Sequence, residues 1–261
     1  MSNVAQNSGR GSAAPSSRRG QANTAAAAPR QASPRRPAHA DQSPALAEAG
    51  VPPEAQGDAV NQLRVVGKVE RVNALPGGDG MPPVAFVRLL VEARSAITLE
   101  AVVRGEEAVA AAKQLERGAL IDAQGLLSYV APKGEQEGQG YRAWTPRLLV
   151  DALEPAAAAA EPAAWAKLAG TVAREPRYFP AETDKKSRIL FTLVTALPED
   201  AAGSGHRAFH DVSAFEDVAD LLAERLGAGS WIQLEGYLRP QQRDAAAAEV
   251  VVTSRERLVF A

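Results

Sequence analysis

Apolar and polar residues along this chain change period where a strand gives way to a helix and back, most legibly in the carboxyl-terminal half. From Ile189 to Val194 the run Ile-Leu-Phe-Thr-Leu-Val is nearly continuous and β-rich, which predicts a strand. Within Ala214–Leu226, the apolar residues Val218, Leu221, Leu222 and Leu226 form one helical stripe that stops at Gly227–Gly229, which predicts a helix closed by glycine. Trp231-Ile232-Gln233-Leu234 then alternates, placing Ile232 and Leu234 on one side of a further strand. The pleat turns Trp231 to the other side, where an exposed Trp marks a subunit or domain contact more often than a lone stacking site.

The same order of elements occurs in the preceding half. Leu63-Arg64-Val65-Val66-Gly67-Lys68-Val69, an apolar strand around Phe86, a helix over roughly Glu106 to Glu116, and Leu115 through Gly125-Leu126-Leu127 form the first copy. Lys167-Leu168-Ala169-Gly170-Thr171-Val172, a strand around Phe191, the helix above and Leu226 through Gly236-Tyr237-Leu238 form the second. Five strands with one helix between the third and fourth is the order of an OB-fold barrel, whose exposed face and loops commonly bind oligonucleotides. The expected fold is all-β: two tandem five-stranded barrels at 61–154 and 165–261, with an Ala/Pro linker at 155–164. The linker is short enough that the two units stay close and present one surface.

Residues 1–60 are rich in Ala, Ser, Pro, Gly, Gln and Arg and cannot bury enough apolar surface to offset the entropy of ordering, so a disordered tail is expected. Its first forty residues hold Arg10, Arg18, Arg19, Arg30, Arg35 and Arg36 and no carboxylate, whereas the whole chain has a formal charge of −2. Such an arm adds salt-sensitive attraction to a polyanion, or else only solubilises. With no cysteine, neither a disulfide nor a thiolate metal site is available. His39, His206 and His210 form no ligand constellation, and each is expected in a solvated or capping role. The sequence has no run of about 18 apolar residues and no signal-peptide core, so a soluble cytoplasmic protein is expected, without a membrane role.

The second copy resembles the DNA-binding domain of bacterial single-stranded DNA-binding proteins. The likeness is carried by Leu168-Ala169-Gly170-Thr171-Val172 with Pro176-Arg177-Tyr178, by Phe209-His210-Asp211-Val212-Ser213-Ala214-Phe215, and by Leu226-Gly227 through Glu235-Gly236-Tyr237-Leu238-Arg239. Phe209 stands where the family usually has Trp; in the first copy Thr98 takes that place and Arg104 that of the following Phe. Pro132 and Arg243 stand where a further aromatic is usual. The resemblance implies single strands held by a cationic groove and by aromatic faces on which bases stack, at about 1–3 kcal/mol per base. Aromatics make up only 5% of the chain, so more electrostatic binding is expected. It also implies four OB-folds per assembly, hence a homodimer of this tandem chain. The acidic, Phe-tipped partner-recruiting tail of the family is missing after Arg257-Leu258-Val259-Phe260-Ala261, so recruitment through such a peptide is not expected.

Candidate nucleic-acid contacts follow. In the second copy, Tyr178, Phe179, Phe209, Phe215 and Tyr237 are candidates for stacking, unless they fill the barrel, and Arg174, Arg177, Lys185, Lys186, Arg188, Arg239 and Arg243 for phosphate pairing. In the first copy, Lys68 and Arg104 join Tyr129, Lys133, Tyr141, Arg142, Trp144 and Arg147 in or beside a Gly-rich hairpin at 133–140, which either closes over a strand or is an ordinary loop. Enzymatic chemistry has little support. Gly77-Gly78-Asp79-Gly80 is a turn that lacks the Lys and helix of a phosphate loop, and Ser204 with His206 in a Gly-rich loop makes no nucleophile and base. No cofactor or metal is expected. The sequence thus points to a sequence-tolerant single-stranded DNA binder in replication, recombination or repair; the alternative is an OB-fold scaffold for partner proteins of such an assembly.

Overall fold

The computed structural model describes residues 60–78, 80–130, 145–197, 207–242 and 247–261. The amino-terminal tail, the whole Gly-rich hairpin with Lys133, then Tyr141, Arg142 and Trp144, the loop with Ser204 and His206, and Arg243 lie outside the described residues.

In chain order the first repeat comprises β1 (Val60–Leu75), β2 (Val84–Glu92), β3 (Ala96–Arg104), α1 (Glu106–Lys113), β4 (Leu120–Val130) and β5 (Thr145–Pro155). The second comprises β6 (Ala163–Val172), β7 (Arg177–Phe179), β8 (Arg188–Ala196), β9 (Arg207–Phe215), α2 (Glu216–Arg225), β10 (Trp231–Pro240), β11 (Ala248–Val252) and β12 (Leu258–Phe260). Alternation decides what each strand buries. In β2 the pattern sends Ala85, Val87, Leu89 and Val91 inward, and in β10 it sends Ile232, Leu234 and Leu238 inward. Each fully buried Leu or Ile contributes about 1.5–3 kcal/mol.

The pairings of the first repeat close on themselves: β1 with β2, β2 with β3, β3 with β5 in parallel, β5 with β4, and β4 with β1. The second repeat follows the same path through β6, β8, β9, β11 and β10 and back to β6, again with one parallel step, β9 with β11. Closing so few strands brings backbones very near one another where β4 and β6 bend. A Cβ on Gly125 would lie 1.8 Å from the Leu149 carbonyl oxygen, and one on Gly170 would lie 2.0 Å from that of Val194. Gly125, Gly170 and Gly236 are therefore required by backbone contact, whereas Gly67, the counterpart of Gly170, is only tightly packed.

Antiparallel pairing of β1 with β6 joins the repeats into one sheet, from Val60 opposite Ala169 to Val66 opposite Ala163. Gly67 and Gly170 hold the same place in the two copies, and so do Leu63 and Ala166, four residues before each. Leu63 lies opposite Ala166, so an approximate twofold axis passes between them.

Both helices are shorter than the apolar stripes suggest. α1 ends at Lys113 instead of near Glu116, because the N–H groups of Gln114 and Leu115 turn back to the carbonyls three residues earlier, on Ala111 and Ala112. α2 begins at Glu216 instead of Ala214, because Ala214 and Phe215 remain in the sheet opposite Ile189 and Arg188. The strand-to-helix corner is the same in both copies. Gly105, at φ 92°, donates its N–H to the Pro83 carbonyl at 3.0 Å, and Glu216, at φ 55°, donates to that of Ser187 at 2.9 Å.

Candidate nucleic-acid interface

Three adjacent strands of the second repeat set side by side the residues with the right chemistry for a single strand. Register places Phe179 of β7 opposite Arg188 of β8, and Arg188 opposite Phe215 of β9. Phe179 is 48% exposed and Phe215 half-buried. The guanidinium carbon of Arg188 lies 5.6 Å from the centre of the Phe215 ring and that of Arg239, from β10, lies 5.0 Å from it. Both are within cation–π range. Phe209, six residues before Phe215 on β9 and on the same strand face, is half-buried.

The two arginines share one carboxylate. Glu249 of β11, buried at 6% exposure, accepts from Arg239 Nε at 2.8 Å and lies 2.7 Å from Arg239 Nη2. Its other oxygen is 3.9 Å from Arg188 Nη2. Sequence reasoning missed Glu249, yet a signal existed: a lone carboxylate inside Ala248-Glu249-Val250-Val251-Val252 needs a cationic partner wherever that run is buried.

Around this centre the remaining candidates are more exposed. Arg174 and Arg177 are exposed on the segment between β6 and β8, where Lys185 pairs with Glu182 at 2.8 Å and Lys186 with Glu216 at 2.6 Å. The Tyr178 hydroxyl donates to Asp220 of α2 at 2.7 Å, which raises its pKa above the usual tyrosine value. Hydrogen bonds from Ser187 and Tyr178 hold the Asp220 carboxyl below its ordinary value. Tyr178 is thereby tied to the helix, and Phe179, next to it, is turned to the other strand face.

Tyr237 belongs to a different group. Its ring meets Trp165 of β6 edge-on at 6.2 Å, with Arg94, from the turn between β2 and β3, 5.2 Å from its centre. Arg257 lies 4.6 Å from the Trp165 ring, so two aromatic and two cationic side chains line the exterior of the seam. Trp231 is half-buried on the same side of β10, opposite Thr171 of β6.

In the first repeat the described cations mostly meet carboxylates. Lys68 pairs with Glu92 at 2.7 Å and Arg88 with Glu70 at 2.8 Å. Arg64 grips Asp122 through Nε and Nη2. Arg147 is bonded to Glu100 and lies 5.5 Å from the Phe86 ring. Arg104 is exposed at the end of β3.

Tyr129 and His210 meet inside the junction. The expectation of a solvated or capping His210 is wrong, because the ring is fully buried where β9 packs near β4. One nitrogen, Nε2, lies 2.8 Å from Thr195 Oγ1, and Nδ1 lies 3.1 Å from the Tyr129 hydroxyl. Thr195 also accepts from the Asn61 amide at 3.2 Å, and Asn61 bonds both the carbonyl and the N–H of Leu127 at 3.0 Å. Burial depresses the His210 pKa from its ordinary 6.5 to about 3 and raises that of Tyr129. The network joins β1 and β4 of one repeat to β8 and β9 of the other. Among the described residues no group of three or more His, Asp or Glu side chains is placed to hold a metal ion, and no helix is long and apolar enough to cross a membrane.

No protein-family model and no curated protein matches the sequence. Among solved structures, the wild-type single-stranded DNA-binding protein from Thermus aquaticus matches with a TM-score of 0.59 and 17% identity, over 78% of this chain and 94% of that one. A deletion variant of the same protein matches with a TM-score of 0.58 and 17% identity, over 78% of this chain and 95% of that one. At this identity the likeness is one of fold, an all-β architecture of the OB type.

Proposed function

We propose that this chain is a tandem of two OB-fold barrels, at 61–154 and 165–261, that binds single-stranded DNA without strong sequence preference. The observation that carries the reading is the row Phe179, Arg188 and Phe215 across three strands of the second repeat, with Arg239 beside the Phe215 ring. A sequence-tolerant binder needs π-faces for bases beside cations for phosphates, and this row supplies both. The likeness in fold to a protein described as binding single-stranded DNA supports it. Arg174, Arg177, Lys185 and Lys186 extend the cationic margin, and the Arg-bearing tail adds nonspecific attraction that salt weakens. In this reading two chains assemble into a homodimer with four barrels, and the protein shields single strands during replication, recombination or repair in the cytoplasm.

The test is a titration of a fluorescent oligo-dT at two salt concentrations. Binding at low salt that weakens at high salt is expected, and no binding at low salt rejects the reading.

The first repeat favours a second role. Thr98 and Arg104 stand where the second repeat carries Phe209 and Phe215, so the first repeat lacks that pair of π-faces. This repeat then serves as a scaffold surface for partner proteins of the same assembly. Crosslinking that recovers protein partners on residues 61–154 and nucleic acid only on 165–261 is the expected outcome.

A further inference from the structure

The centre of the proposed nucleic-acid face carries its own anion. Arg188 and Arg239 converge on Phe215, at 5.6 and 5.0 Å, and one buried carboxylate, Glu249, serves both. The service is unequal. Arg239 is held through two nitrogens at 2.7 and 2.8 Å, whereas Arg188 reaches the carboxylate only at 3.9 Å. The Arg188 Nε is buried and has no hydrogen-bond partner. The neighbouring carboxylate, Asp211, beside Glu249 in the β9–β11 register, accepts from Thr192 and Gln241, so among the described residues Arg188 is the more loosely held of the two guanidiniums. That residue stands between Phe179 and Phe215 in register.

From this geometry we infer that Glu249 sets the affinity of the face: it ties Arg239 down as a support for the Phe215 ring, leaves Arg188 to take a backbone phosphate, and damps the attraction of both. The inference rests on the proposed DNA-binding role and names the residue that regulates it. A buried carboxylate in a cationic site lowers the local potential that a phosphate meets, so its charge opposes binding even while its hydrogen bonds order the site. Glu249 is therefore a positioning residue with an electrostatic cost to binding, and replacing it with the isosteric amide keeps the shape and removes the cost. With the charge gone, Arg239 also becomes available to a phosphate.

The experiment compares the full chain with its E249Q variant in oligo-dT titrations over a range of salt. The variant is expected to bind several-fold more tightly at low salt, with a log–log salt slope steeper by about 0.7, the increment for one further phosphate contact on a single strand. A folded E249Q that binds equally or more weakly, with an unchanged slope, overturns the inference while leaving the DNA-binding role intact. Failure of both proteins to bind at low salt instead sinks that role, and this inference with it. Should E249Q not fold, nitrogen-15 NMR of the unaltered chain decides. On addition of oligo-dT the Arg188 Nε–H resonance is expected to move and that of Arg239 to stay, and the reverse pattern overturns the assignment.

Discussion

Phe215 stands where packing and the proposed binding meet. It is half-buried, and two guanidiniums lie near its ring. Phe215→Ala is expected to weaken oligo-dT binding by about 1–3 kcal/mol, the worth of one stacked base. Phe209→Ala is expected to weaken it in the same direction. Neither should unfold the chain, and a collapsed calorimetric transition in these variants would assign the rings to the core. Glu216 offers a test of backbone strain. It adopts φ 55° at a corner where the first repeat has Gly105, a conformation that costs an ordinary residue about 1–2 kcal/mol. Against the greater freedom glycine gives the unfolded chain, Glu216→Gly is expected to stabilise by about 0.5–1 kcal/mol, read from the urea midpoint. Gly170→Ala should do the opposite and cost about 3 kcal/mol or more, because its methyl would overlap the Val194 carbonyl.

At the scale of elements, local chemistry explains what the sequence made legible. The run at 189–194 and the alternation at 231–234 fall in β8 and β10, and the stripe at Val218, Leu221 and Leu222 lies on α2, since each follows the period of its element. Helix ends were less legible, because whether Ala214 and Phe215 belong to helix or sheet depends on β8 lying alongside. The roles of Glu249 and His210 were hidden for the same reason, as each is defined by partners from other strands. The buried His210 makes strand pairing between the repeats sensitive to acid. Its folded pKa, about 3, is below the ordinary 6.5, so the unfolded chain takes up a proton first as pH falls. The stability owed to the neutral ring is complete above pH 6.5 and is lost progressively toward pH 3. Between pH 7 and pH 5 the loss should reach about 2 kcal/mol. Urea unfolding at both values should show the slope in the wild-type chain and a flatter one in His210→Gln.

For the whole molecule, the shared strand path of the two halves was legible because glycines recur at matching places, while the way the halves meet was not. Nothing in the local pattern of β1 or β6 tells that these strands pair with each other; that follows only once both sheets exist. The proposed homodimer is tested by sedimentation, where a species of twice the chain mass is expected. A monomer at micromolar concentration rejects it without touching the DNA-binding proposal.

The approximate twofold axis through Leu63 and Ala166 is broken by the polar network beside it. In the mirror position, Ala164, Val91 and Leu99 stand where Asn61, Thr195 and His210 stand on this side, so hydrocarbon answers hydrogen-bonding groups. Two identical second repeats brought together along β6 would set Ala164 where Asn61 donates to Thr195 and Pro240 where Tyr129 meets His210, keeping only the Thr195–His210 bond of the network. The covalent duplicate has thus become a lock and its key: each half offers the other a hydrogen-bonding fit that it does not offer its own likeness.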